Sequence, residues 1–305
     1  MCCLFGLLDC GHSLTGRQKA YILSVLATEC EARGTDATGI AYNSGGRLRI
    51  YKRPLPAHKL RFFLPNDARM VMGHTRLTTQ GSEKKNYNNH PFRGRTDTMD
   101  FALAHNGVLY NERSLRKRLQ LPRTEIETDS YIAVQLLEES KALGFDSLKH
   151  MAETVEGSFT FTVLDGGDTL SIVKGDNPMC LYRYPRLGLY LYASTEAILG
   201  RALKKLRFSL EKPEEVALDC GDMLKIHREG AMEKGAFDAS RLYERPYVGF
   251  YYGGRYPSKR EENAYLEELK TVAGSFGYSP QAIDRMLARG FSTDEIEEFL
   301  YYGEL

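Results

Sequence analysis

Short apolar runs and stretches of helical period alternate along most of the chain. Cys3–Asp9 is a brief apolar run broken by Gly11, which predicts a buried strand. From about Leu14 to Glu31 apolar positions recur near helical spacing, at Tyr21, Val25, Thr28 and their neighbours, and Gly34 ends the pattern. Gly39–Asn43 and Arg47–Arg53 flank Ser44-Gly45-Gly46, which predicts a hairpin. Met70–Thr75 and Phe101–Leu109 read as buried strands, and Asn111–Gln120 and Asp129–Ser140 as helices. From Ser158 the pattern turns to strands: Ser158–Leu164, Thr169–Val173, Met179–Tyr184 and Gly188–Ala193, separated by Asp165-Gly166-Gly167-Asp168 and Pro185-Arg186. A helix near Thr195–Lys205 and a strand near Asp222–His227 follow.

Strands in antiparallel-looking runs, with helices grouped between the runs, predict an α+β fold and not a regular βαβ alternation. The character changes after about Asp238. Arg245–Pro257 is rich in Tyr, Gly and Pro and reads as a linker, and Tyr265, Leu269, Val272 and Phe276 repeat at helical spacing. Ser279-Pro280 predicts a helix start with proline at its first position, and Ser292–Glu295 a capping box after Gly290. The expected organisation is a main domain over residues 2–238, a linker over 239–257 and a helical tail over 258–305. A tail of this kind reads as a packing or dimerisation appendage.

Composition narrows the function classes. The 305 residues carry 41 Lys and Arg against 40 Asp and Glu, a formal net charge of +1, which argues against a broad nucleic-acid surface or an acidic tail. No apolar stretch approaches the roughly 20 residues of a membrane helix, and no secretory signal stands at the start. Six cysteines at 2, 3, 10, 30, 180 and 220 show neither a CxxC pair nor zinc spacing, which predicts a reducing, cytoplasmic setting and no bound metal. No glycine-rich phosphate cradle is present, so no nucleotide cofactor is expected.

The unusual feature is Met1-Cys2-Cys3. Cys is small enough at position 2 to permit removal of Met1. One residue would then hold a thiol, whose ordinary pKa is about 8.5, and a free α-amine near 7.7–8.0. Such an amine is a good general base, able to take the thiol proton and later protonate a leaving amine.

Five further segments stand out: Arg33–Ile40, Gly73–Gly81, Asn89-His90-Pro91-Phe92, Ala104-His105-Asn106-Gly107 and Thr128-Asp129-Ser130. Together with Met1-Cys2-Cys3-Leu4-Phe5-Gly6-Leu7, and in this order over about residues 2–228, they resemble the class II, N-terminal-nucleophile glutamine amidotransferases. These include the glutaminase halves of glucosamine-6-phosphate synthase and amidophosphoribosyltransferase. The resemblance implies a four-layer αββα sandwich of antiparallel sheets with L-glutamine as substrate, its side-chain amide hydrolysed to glutamate and ammonia through a Cys2 thioester. It implies that Asn106 and Gly107 donate to the oxyanion, that Arg76 grips the α-carboxylate and Asp129 the α-ammonium, that Thr79 touches the substrate and that Arg33 orders the pocket. Taken alone, Asn106-Gly107 would also suit a hairpin turn, Asp129 a helix N-cap or first-turn acid, Arg76 a surface charge, Thr79 a turn and Arg33 a helix C-terminal charge.

The chain departs from the family at Cys3, where glycine is usual, and at Leu77 and Gln80, where the sugar-synthase branch has Trp and His. That Trp couples glutaminase to ammonia transfer, so its replacement puts tight coupling of that type in doubt. Cys10, Cys30, Cys180 and Cys220 read as core residues. Residues after the main domain number about 70, too few for a sugar isomerase or phosphoribosyltransferase domain. This predicts a freestanding glutaminase or an amidotransferase subunit, with the ammonia acceptor on a separate synthase chain and a homo-oligomer left open. The alternatives are a terminal-Cys amidase acting on γ-glutamyl peptides or other amides, and an inactive scaffold or sensor of the same fold.

Overall fold

The computed structural model describes residues 2–206 and 212–243, and in the C-terminal part residues 266, 269–270, 273–274, 277–288, 296 and 300. Two antiparallel sheets dominate the unit Met1–Tyr243. The first sheet holds seven strands: β1 (Cys3–Asp9), β2 (Ala37–Ser44), β3 (Arg47–Arg53), β4 (Met70–Arg76), β9 (Cys180–Tyr184), β10 (Leu189–Ala193) and β11 (Glu214–Glu215), in the order β11-β9-β10-β1-β4-β2-β3. The second holds six: β5 (Phe92–Arg95), β6 (Asp100–Leu109), β7 (Gly157–Asp165), β8 (Leu170–Lys174), β12 (Asp222–Ile226) and β13 (Met232–Ala236), in the order β13-β12-β8-β7-β6-β5.

Side-chain alternation along β1 sets the layering. Cys3, Phe5 and Leu7 pack with Ile22, Leu23 and Leu26 of α1 (Gly16–Cys30) and with Ile198 and Leu199 of α5 (Glu196–Lys205). Leu4 and Leu8 face the other way and join Met70, Met72, Ala102, Ala104, Leu164 and Leu224 between the two sheets. On the far side of the second sheet, Leu103, Phe159 and Phe161 pack against α3 (Tyr131–Glu139) and α4 (Phe145–Thr154) through Ile132, Leu136, Leu148 and Met151. The result is the αββα sandwich. Each fully buried Leu or Phe contributes about 1.5–3 kcal/mol over an exposed one.

Local signals explain how the chain enters these elements. The Thr15 hydroxyl accepts from Gln18 N while the Gln18 side chain accepts from Thr15 N, which starts α1 with a capping box. Gly45 and Gly46, with φ of 58° and 68°, form the two-residue turn between β2 and β3 and supply the positive φ that such a turn needs. Asn106-Gly107 is not a turn. Both residues lie inside β6, where Asn106 is paired with Thr160 and Gly107 with Phe159. Gly107 has φ of 140°, and a Cβ there would come within 1.9 Å of the Ser158 carbonyl, so only glycine fits.

Sequence patterning missed α4, β5, β11 and β13. It also missed the short helix α6 (Ser240–Tyr243) and two 3₁₀ turns, and it drew α2 (Glu112–Arg118) and α3 slightly long. In the separate unit Glu244–Leu305 a helix spans Pro280–Ala288, beginning at the proline after Ser279. Leu269, Ala273, Ile283, Ile296 and Leu300 form a small apolar cluster of their own. The expected linker Arg245–Pro257, the positions Tyr265, Val272 and Phe276, and the capping box at Ser292–Glu295 lie outside the described residues.

One buried ion pair ties α1 to the first sheet. Lys19 Nζ lies 3.1 Å from Asp9 Oδ2, both side chains fully buried. Lys19 also donates to the carbonyls of Asn66 and Ala68, and Asp9 accepts from the Ser13 and Leu14 amides. Lys19→Met keeps the volume but strands a buried carboxylate, which costs about 3–5 kcal/mol. The expected result is a thermal midpoint lower by on the order of 10 °C. An unchanged midpoint would show that Asp9 is satisfied without the lysine.

Candidate functional site

The site is assembled from the ends of three strands and two loops. Cys2 precedes β1, and its thiol points to the Leu77 carbonyl at 3.5 Å, just beyond the end of β4. Arg33, in the turn after α1, donates from Nε to the Cys2 carbonyl at 2.9 Å and holds that backbone in place. His74 Nε2 lies 3.0 Å from the His105 carbonyl, so β4 of one sheet is tied to β6 of the other one residue before Asn106. At the far end of β6, Asp129 Oδ2 accepts from the Leu109 amide at 2.6 Å. Asn106 and Gly107 lie between these two ties.

Arg76 is only 3% exposed. Its Nη1 donates to Asn89 Oδ1 at 2.7 Å and its Nη2 to the carbonyls of Gln80 and Gly81. These bonds use three of the five guanidinium N–H groups. Burial lowers its pKa, while the charges of Cys2, Asp36, Asp129 and Glu83 act in the opposite direction. Burial likewise raises the Cys2 thiol above its ordinary value, against the pull of the positive chain terminus and Arg76. Burial also raises Asp129, against bonds from Leu109 and Ser130. Cys2, Arg76 and Asp129 therefore share one electrostatic environment.

Asn106 is 0% exposed, and neither Nδ2 nor Oδ1 has a hydrogen-bond partner among the described residues. A buried amide left unpaired costs about 1–3 kcal/mol per group. Such a group in a native structure calls for a reason, and an incoming ligand is one. Around it, burial holds His74 down to about 3, His105 down to about 4 and His90 well below the usual imidazole value, so all three stay neutral near pH 7. Among the described residues no group of three or more His, Cys, Asp or Glu side chains is arranged to hold a metal ion.

Residues 74–200 match the glutamine amidotransferase domain family. A glutamine–fructose-6-phosphate aminotransferase (isomerizing) of Halalkalibacterium halodurans is 31% identical over 309 positions, covering 89% of this chain and 51% of that protein. One from Halobacterium salinarum is 32% identical, covering 50% of this chain and 26% of that protein. Among solved structures, the glutamine phosphoribosylpyrophosphate amidotransferase of B. subtilis, complexed with ADP and GMP, superposes with a TM-score of 0.61 at 21% identity. That superposition covers 77% of this chain and 49% of the other. The chain carries a class II glutamine amidotransferase domain. It spans about half the length of the Halalkalibacterium relative and a smaller share of the Halobacterium one.

Within the amidotransferase domain the geometry gathers Cys2, Arg33, Arg76, Asn106, Gly107 and Asp129. Thr79 differs: it is exposed in the loop after β4, and its neighbour Thr78 makes the anchoring bond, from its amide to Asp36 Oδ2 at 2.7 Å. Asp129 precedes the N-cap residue Ser130 of α3, and its carboxylate accepts both from the Leu109 amide on β6 and from the Ser130 hydroxyl.

Two supporting residues escaped sequence reasoning. Asn89 holds Arg76, and its own amide donates to the Glu83 carbonyl. Lys52, on β3, donates to the carbonyls of Asn89 and Pro91, and burial brings its pKa down to about 8. Asn89 stood inside a segment that the family resemblance singles out. Lys52 carries no local signal, because its role arises only when β3 packs beside residues 89–91. The same loop is tied to the segment before Asp129, because the Glu127 carboxylate accepts from Lys85 and Asn88 and its carbonyl from Gln80.

Proposed function

We propose that this domain hydrolyses the side-chain amide of L-glutamine, with Cys2 as nucleophile after removal of Met1. The observation that carries the reading is the buried Asn106 amide, without a partner among the described residues and tied through β6 to both the Cys2–Arg76 end and Asp129. In this mechanism the Cys2 α-amine takes the thiol proton, which a buried, raised thiol does not give up readily by itself. The thiolate attacks the amide carbon. The oxyanion that forms receives hydrogen bonds from Asn106 Nδ2 and the Gly107 N–H. Collapse expels ammonia, protonated by the amine, and leaves a Cys2 thioester. The amine then takes a proton from water, which attacks the thioester and releases glutamate. The chemistry needs no cofactor beyond water.

Arg76 uses its remaining N–H donors on the α-carboxylate, and Asp129 receives the α-ammonium. Arg33 fixes the Cys2 backbone, and Thr79 closes over the substrate from the exposed loop. The released nitrogen passes to an acceptor site on a separate chain or domain. The curated relatives are named for amination of fructose 6-phosphate, so a phosphosugar is the first acceptor to test.

The division of labour is measurable. Arg76→Ala and Asp129→Asn are expected to raise KM for glutamine by about 30-fold or more, the scale of losing one partner of a buried charge pair. Their effect on kcat, and on reaction with a simple activated amide, should be smaller. Equal losses on glutamine and on the simple amide would place both residues outside amino-acid recognition. A preference for γ-glutamyl peptides over glutamine would move the function to that substrate class.

A further inference from the structure

Cys3 stands where the amidotransferases usually carry glycine, and the proposed mechanism gives it no task. Its sulfur lies 2.8 Å from that of Cys30, the last residue of α1. We propose that Cys3 and Cys30 are a redox site of their own, closing to a reversible disulfide when the protein meets a two-electron oxidant of the peroxide or disulfide class.

The geometry is favourable before any bond forms. The sulfurs need to approach by less than about 1 Å to reach the roughly 2.05 Å of an S–S bond. The backbones are already fixed side by side, because Thr75 is opposite Cys3 in the β1–β4 register and its hydroxyl donates to the Cys30 carbonyl at 3.1 Å. Strand alternation keeps Cys2 apart from the pair. The Cys3 side chain joins the α1 layer, whereas the Cys2 thiol faces Leu77. Both paired residues are 0% exposed, so a small oxidant reaches them through local opening of the α1–β1 contact. Burial pushes the Cys3 thiol up, but the Cys30 contact, the Arg33 charge and the hydrogen bonds with Ser194 together bring the group below its ordinary value. This favours the thiolate that the chemistry requires.

With a peroxide the steps balance. The Cys3 thiolate attacks a peroxide oxygen, so that an S–O bond forms, the O–O bond breaks and, with one proton, water leaves. The Cys30 thiol then attacks the Cys3 sulfur. The S–S bond forms, the S–O bond breaks, and the departing hydroxide takes the Cys30 proton to leave as a second water. The two sulfurs lose two electrons and the peroxide gains them. The crosslink joins the start of β1 to the end of α1, the two segments that flank Cys2 and lead to Arg33, and it closes a loop between residues 27 positions apart. It acts as a staple on the nucleophile's frame.

The test uses the full chain with Cys2→Ala, so that the nucleophile does not consume oxidant. The protein is treated with hydrogen peroxide, or separately with oxidised glutathione, then denatured and alkylated, and its peptides are mapped by mass. The expected result is a Cys3–Cys30 linked peptide pair, a chain lighter by two hydrogens, and recovery of both thiols on reduction. The thermal midpoint of the oxidised form should rise by about 5–10 °C. Cys30→Ser, or Cys30→Ala if the serine variant does not fold, should abolish both the link and the rise. Full alkylation of Cys3 and Cys30 under oxidation that modifies the partly exposed Cys220 would overturn the proposal. So would a link from Cys3 to any other cysteine.

Discussion

Cys2→Ala is expected to lower glutamine hydrolysis by at least about ten-thousand-fold, the scale seen when a covalent nucleophile is removed. The variant should also lose labelling by an electrophilic glutamine analogue. The fold should persist, because Cys2 lies before β1 and its thiol makes one hydrogen bond among the described residues, to the Leu77 carbonyl. Cys3→Gly, at the fully buried neighbouring position, should keep most of the activity and all of the labelling at Cys2. The two substitutions differ by one position and by strand face, so together they separate loss of the nucleophile from general damage to the start of β1. Labelling at Cys3 with Cys2 untouched would reverse the assignment.

Asn106→Ala is expected to lower kcat by about 10²–10³-fold with little change in KM, because its donor acts on charge that develops only in the transition state. The substitution also removes a buried amide that has no partner among the described residues. Stability should therefore hold or rise, since an unpaired polar group costs the folded state. Lower activity together with undiminished stability is a signature that a purely structural asparagine would not give. A destabilised variant whose KM and kcat worsen alike would identify Asn106 as a scaffold residue.

Much of the fold was legible where one periodicity acted alone. The apolar run of β1, the Gly45-Gly46 hairpin and the strands from Ser158 to Ala193 follow from side-chain alternation and turn chemistry. Elements without that signal were missed. The side chains of β13 are mostly exposed, β5 has four residues, and α4 begins at Gly144 instead of at a conventional side-chain cap. At the candidate site, the family motifs named Cys2, Arg33, Arg76, Thr79, Asn106, Gly107 and Asp129 as candidates, and their alternative readings turned on context. Asn106-Gly107 suited a hairpin by local rules, and only the pairing of β6 with β7 places it mid-strand. Lys52 and the Cys3–Cys30 contact stayed invisible, since both depend on segments that meet only in the folded chain.

In the proposed mechanism Cys2 acts as a terminal residue with a free amine. The most direct test is the intact mass of the purified protein before and after reaction with an electrophilic glutamine analogue, with ammonia release from glutamine measured on the same sample. The expected result is a chain lacking Met1, a single adduct on Cys2, and loss of ammonia release in proportion to the adduct. Ammonia release from a chain that retains Met1, or full release after Cys2 is modified, would contradict it.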